Sequence, residues 1–321
     1  MSGRGLLDLA IARIPGLRSG DRVILCGKFD SESEFARLTA RDVVEICAKG
    51  RGKALAGRLF EDETEHWSMK TVIEQAEKDA VFMERRGINW VSVAESAYPP
   101  LLREIYDPPA VLFYRGALPP IERLAVAVVG TRKPCAAATR WAYDTARDLA
   151  LAGVTVVSGL ALGIDAMAHR GCVDASRLDE TGCAAAPALA VLGSSVDEVY
   201  PATNRSLARR IVAEGGALLS EYPPGTRPAK WNFPARNRII SGLCRYAVIV
   251  EAGKKSGALI TAAFVLEQGR DLYVACGAVN SGDTFSGDIF GSDIFGEGCE
   301  RLAEDGATLA RGAEDILLGG L

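Results

Sequence analysis

At 321 residues, 48% hydrophobic and 24% charged, with a formal net charge of −4, the chain has the composition of a globular protein of about two domains. No apolar run approaches the roughly 20 residues of a membrane span, and MSGRGLLDLAIARIPG at the N-terminus carries too short an apolar stretch and no small-residue cleavage site for a signal peptide. Eight cysteines without a CxxC pair, several of them inside apolar runs, and only two histidines, His66 and His169, point to free thiols in a reducing cytoplasm and to no metal site.

Residues 1 to about 85 read as short helices: LLDLAIARI, SEFARLTARDVVEICAKG and TVIEQAEKDAVFMERRG have apolar positions at three- and four-residue spacing. Ser31 and Thr39 are expected N-caps, and Gly50 and Gly87 expected stops. This part reads as a helical accessory domain over 1–85, with no residue pattern that suggests catalysis. Residues 88–118 mix short strands with proline pairs and lead into a second domain, 86–321.

From Leu124 the pattern alternates between strands and helices. LAVAVVG (124–130), VTVVSG (154–159), ALAVLG (188–193), AVIVEAG (247–253) and DLYVACG (271–277) are continuous apolar runs, as expected of parallel strands buried on both faces. AATRWAYDTARDLALAG, SLARRIVAEGG and ALITAAFVLEQG between them read as helices. The fold class is therefore α/β, an extended Rossmann-like, doubly wound and mostly parallel sheet. Four strand ends carry small residues: Gly130-Thr131-Arg132, Ser158-Gly159-Leu160, Gly193-Ser194-Ser195 and Glu251-Ala252-Gly253. Ligands of such sheets bind at the carboxyl ends of the strands, where glycine lets a phosphate approach the backbone. The ligand is not a dinucleotide or an NTP by motif, since GTRKPC follows the first strand in place of GxGxxG, and GKKSG (253–257) lacks the Walker A spacing. His169 reads as a packing or capping residue and Asp165 as a helix-start acid, which leaves no acid–base pair and points to a binding protein.

Thr226 to Gly242, TRPAKWNFPARNRIISG, carries four cations (Arg227, Lys230, Arg236, Arg238), the rings of Trp231 and Phe233, and no acid. In an acidic protein, such a cluster suits an anionic ligand with faces to stack on. Single-stranded nucleic acid is one, with cations tracking phosphates and rings stacking on bases.

The chain resembles the DNA-processing protein A (DprA/Smf) family. The resemblance rests on YPPLLREIYDPPAVLFYRG (98–116), VVGTR (128–132), VVSGLALGIDAMAHRG (156–171), AVLGSSVDEVYPATN (190–204), GGALLSEYPPGTRP (215–228), FPARNRIISGL (233–243), VEAGKKSGALITAA (250–263) and LEQGRDLYVACG (266–277) in one order. It implies a cytoplasmic protein without cofactor or catalysis that binds single-stranded DNA, protects incoming DNA in natural transformation, loads the RecA recombinase and forms a homodimer. Carried over by residue, it implies DNA contacts at Arg132, Lys230, Phe233, Arg236, Asn237, Arg238, Lys254 and Lys255. It further implies a phosphate cradle of Gly130, Thr131, Ser158, Gly159, Gly193, Ser194, Ser256, Gly257 and Thr261.

Two departures from the family pattern stand out. SGDTFSGDIFGSDIF (281–295) adds residues, with a near-repeat at 287–296, and the chain ends at Leu321 without a C-terminal winged-helix segment. The alternatives are a nucleotide-processing, phosphoribohydrolase-type enzyme and a nucleotide or molybdopterin-like cofactor sensor. Glu251 on a strand rather than the following helix weighs against the first, and the cationic and aromatic segment weighs against the second.

Overall fold

The computed structural model describes residues 3–47, 68–178, 185–277 and 294–319. His66, Cys183, the expected stop at Gly50 and all but the last two residues of the 281–295 insertion lie outside the described residues. The chain divides into two compact units: Met1–Arg115 with Ser195–Glu198 and Ser220–Arg227, and the remainder.

The first unit holds helices α1 (Gly3–Arg13), α2 (Ser19–Lys28), α3 (Glu32–Phe35), α4 (Ala40–Cys47), α5 (Met69–Arg86) and α6 (Pro100–Arg103). The expected caps are present. The Ser31 hydroxyl accepts from the Glu34 amide, the Thr39 hydroxyl accepts from the Asp42 amide, and Gly87 terminates α5. Leu7, Ile11, Ile14, Leu25, Phe35 and Met83 form its buried core. Arg13 on α1 clamps Asp79 on α5 with two donors at 2.5 and 2.8 Å. Two strands that sequence reading left unresolved, β1 (Ile88–Ser92) and β2 (Val111–Gly116), pair antiparallel.

The second unit is the doubly wound layer. It contains β3 (Ala125–Val129), α7 (Ala136–Leu151), β4 (Thr155–Ser158), α8 (Ile164–Leu178), β5 (Ala188–Val191), α9 (Arg205–Ala213) and β6 (Ala217–Ser220). It continues with α10 (Asn232–Gly242), β7 (Tyr246–Ile249), α11 (Gly257–Glu267), β8 (Asp271–Ala275), α12 (Glu297–Glu304), β9 (Thr308–Ala310) and α13 (Ala313–Leu318). The strands lie in the order β6-β5-β4-β3-β7-β8-β9 with parallel pairing throughout. Every residue of β4, β5 and β7 is buried, which is why these strands read as unbroken apolar runs. Chain direction across the sheet reverses between β3 and β7, where Val128 pairs with Val248. Successive crossovers run outward from that pair to either side, so a crevice opens beyond the carboxyl ends of β3 and β7.

Candidate functional site

That crevice holds a cavity of about 720 Å³. Gly130, Thr131, Arg132 and Lys133 wall it from the end of β3, while Phe233, Pro234, Arg236, Asn237 and Ile240 face it from α10. Ser256, Gly257, Ala258 and Thr261 at the start of α11 close the far side, with Lys230, Tyr200, Ala161 and Asp165 completing the lining. The two strand ends are pinned by backbone bonds, from the Val250 amide to the Val129 carbonyl at 2.9 Å and from the Thr131 amide to the Glu251 carbonyl at 2.8 Å. The Glu251 carboxylate accepts from the Cys135 amide at 2.8 Å, tying the end of β7 to the start of α7. At the start of α11 the Ser256 hydroxyl accepts from the Ala258 amide at 3.3 Å. This leaves a capped helix N-terminus, the positive end of its dipole, directed at the cavity.

The rings and cations are arranged around Phe233. Arg132 places its guanidinium carbon 5.8 Å from the Phe233 ring centre, within cation–π range. The Tyr200 ring lies 5.5 Å from Phe233 at 45°. Gly193, just past β5, supports this arrangement sterically, because a β-carbon there would sit 2.8 Å from Cδ1 of Phe233.

Arg236 plays a different part from its neighbours. It is buried, and its Nη1 donates to the carbonyls of Val191 and Gly159, the latter at 2.7 Å, while its Nε donates to Asn237 Oδ1 at 3.2 Å. Gly159 makes room for this, since a β-carbon there would sit 2.3 Å from Nη1. The carboxylate of Asp165 accepts from the Gly159 and Ala161 amides at 3.0 and 3.4 Å. Burial pushes that carboxyl above the usual carboxylate range, and the Arg236 charge pulls it back. Arg236 thus ties the ends of β4 and β5 together through their carbonyls, with the Asp165 carboxylate within its electrostatic reach, while also lining the cavity.

The structure brings together Gly130, Thr131, Arg132, Lys230, Phe233, Arg236, Asn237, Ser256, Gly257 and Thr261 of the residues expected from sequence. The others lie outside the main cavity, although Gly159 lines a small recess beside it. Ser158 is buried with its hydroxyl donating to the Val128 carbonyl, and Ser194 is buried past β5. Gly159 and Gly193 act as steric clearances. Arg238 is buried with Nη1 donating to the Ala235 carbonyl and is not among the lining residues. Lys254 reaches Glu297 at 3.1 Å, and Lys255 is exposed outside the lining. Trp231 is 77% exposed and so is no core residue. His169, read as a packing or capping residue, is packed well inside α8, where burial pushes its imidazole down to about 3 and keeps it neutral. Sequence reasoning missed Lys133 and Tyr200, although Lys133 directly follows the recognised GTR run and Tyr200 lies in the quoted AVLGSSVDEVYPATN. Among the described residues no group of three or more His, Cys, Asp or Glu is placed to hold a metal ion.

The family profile for DNA recombination-mediator protein A matches residues 89–319. The chain belongs to that family. It is 46% identical over 180 residues to protein Smf of Synechocystis, covering 55% of this chain and 43% of that relative. It is 38% identical over 195 residues to DNA processing protein DprA of Bacillus subtilis, covering 60% of this chain and 62% of that protein. The matches therefore span about half of the length of these two relatives. The solved structure of DNA processing protein A from Streptococcus pneumoniae superposes with a TM-score of 0.70 at 28% identity, covering 99% of this chain and 98% of that one. DNA processing protein A from Helicobacter pylori, whose structure addresses its single-stranded DNA binding mode, superposes with a TM-score of 0.57 at 26% identity, covering 72% and 95% of the respective chains. Among the described residues no helix is long and apolar enough to cross a membrane.

Proposed function

We propose that this protein binds single-stranded DNA without catalysis, protects incoming strands during natural transformation and loads the RecA recombinase onto them, acting in the cytoplasm as a homodimer. The observation that carries the reading is the charge balance of the cavity. Its lining includes Arg132, Lys133, Lys230 and Arg236 against the single acid Asp165, in a chain of net charge −4. Arg236 and Asp165 offset one another, which leaves three exposed cations around an aromatic ring and a capped helix start. Cations, a stacking face and backbone donors are what a flexible polyanion with unpaired bases needs. Duplex bases are already stacked, and exposing them to Phe233 costs a few kcal/mol. One oxygen of Asp165 accepts from the Gly159 and Ala161 amides and one oxygen of Glu251 accepts from the Cys135 amide, which supports a structural part for both carboxylates. Family membership and the single-stranded DNA binding mode of the Helicobacter pylori relative support the same substrate class.

Titration of oligo-dT and of a duplex of equal length, with nucleoside monophosphates incubated in parallel for base release, tests this reading. The expected result is much tighter binding of the single strand, affinity falling steeply with salt, and no hydrolysis of any substrate. Equal affinity for duplex and single strand, or base release lost on changing Asp165 or Glu251, would overturn it.

A further inference from the structure

Tyr200 packs one side of its ring against Phe233 and leaves the rest open. It is 48% exposed, a large apolar ring left open to solvent where the polypeptide passes beside the mouth of the cavity. It also lines a second, smaller recess of about 50 Å³, whose other walls include Arg132, Gly159, Ala161, Leu162, Phe233 and Arg236. The recess and the main cavity share Arg132, Ala161, Tyr200, Phe233 and Arg236, so they adjoin one another with the ring pair on the wall between them.

The ring geometry limits how this wall can be used. At 5.5 Å between centres and 45° between planes, Tyr200 and Phe233 are in contact with each other and tilted. No base can enter between them, so each ring offers only its outer face. We propose that Tyr200 is a second stacking platform of the single-stranded DNA site. In this arrangement one unpaired base lies on Phe233 inside the main cavity, and a neighbouring base lies on the solvent-exposed outer face of Tyr200. Arg132 beside Phe233 sits where the intervening phosphate would pass. Every base has a face and none of these contacts reads an edge, so this ring pair recognises an unpaired step without regard to sequence.

The inference rests on the single-stranded DNA reading above, and its test separates the two. Binding of a fluorescent oligo-dT is measured by anisotropy for wild type, Tyr200→Phe, Tyr200→Leu and Tyr200→Ala, each checked by thermal melting. The same proteins are then titrated with an oligonucleotide of equal length containing abasic sites. On normal oligo-dT, Tyr200→Phe is expected to bind like wild type, and Tyr200→Leu and Tyr200→Ala to bind about 5- to 100-fold more weakly at unchanged salt slope. On the abasic strand the difference between wild type and Tyr200→Leu is expected to shrink towards one. Tyr200→Leu keeps apolar bulk against Phe233, so it decides the matter if Tyr200→Ala melts early. Failure of wild type to bind oligo-dT overturns the functional reading itself. Normal binding by wild type and by Tyr200→Leu, or an equal loss on normal and abasic strands, overturns the platform alone.

Discussion

Two glycines show how tightly single residues shape this site. Gly193 and Gly159 were both legible as small residues at strand ends, and phosphate approach was the natural reading. Each in fact clears space for a side chain of α10. The missing β-carbon of Gly193 admits the Phe233 ring, and that of Gly159 admits the Arg236 guanidinium. Gly193→Ala would set a methyl 2.8 Å from Cδ1 and 3.4 Å from Cα of Phe233, so the ring must rotate or the start of α10 must lift. Overpacking of this kind costs typically about 1–3 kcal/mol. Gly193→Ala is therefore expected to weaken oligo-dT binding with a modest loss of thermal stability. It is also expected to add little once Phe233→Ala is present, because residues in contact couple. A full, additive loss in the double variant would mean that Gly193 meets the ligand directly.

At the scale of elements, the parallel strands were legible because burial on both faces forces unbroken apolar runs; β3, β4, β5 and β8 fell within the expected segments, and β7 began one residue before its own. β6 and β9 did not stand out. Ala217–Ser220 follows Gly215 and Gly216 in what reads as a turn, and Thr308–Ala310 is three residues long, too short to show a period. Cap residues were legible for the same local reason that they work, since a hydroxyl reaches an amide two or three residues on. Ser256, expected only as a phosphate-cradle residue, is also a cap, its hydroxyl accepting from the Ala258 amide where α11 meets the cavity. Ser256→Ala is expected to destabilise the protein by about 0.5–2 kcal/mol and Ser256→Gly by only a few tenths, measured by denaturant titration. Equal losses for the two variants would show that the hydroxyl does not cap the helix. What sequence could not give was side-chain direction. Within α10, Arg236 points at the β4 and β5 carbonyls, Arg238 is buried on another side and Asn237 faces the cavity, although all three lie in one basic run.

The whole molecule is acidic, with a net charge of −4, so its distant field repels a nucleic acid and attraction must come from the cations lining the cavity. Each phosphate neutralised on a single strand steepens the dependence of log affinity on log salt by roughly 0.7. Arg132→Ala and Lys230→Ala are expected to weaken binding and to flatten that dependence by about this amount each, with melting temperatures near wild type. Phe233→Ala is expected to cost about 1–3 kcal/mol of binding with the slope unchanged, because stacking releases few counterions. Arg236→Ala should behave unlike all three. Its guanidinium is committed to the Gly159 and Val191 carbonyls and shares a buried environment with Asp165, so its removal strands a buried carboxylate. It also leaves the two carbonyls without their donor, and each buried group left unsatisfied costs about 1–3 kcal/mol of stability. The expected signature is a large fall in melting temperature, and Arg236→Lys, which keeps the charge but not the two-carbonyl reach, should recover stability only in part. Salt titrations paired with thermal melts across this set separate contact from support. If Arg236→Ala instead melts like wild type and flattens the salt slope by about 0.7, Arg236 is a phosphate contact after all, and the strand ends are held together by other means.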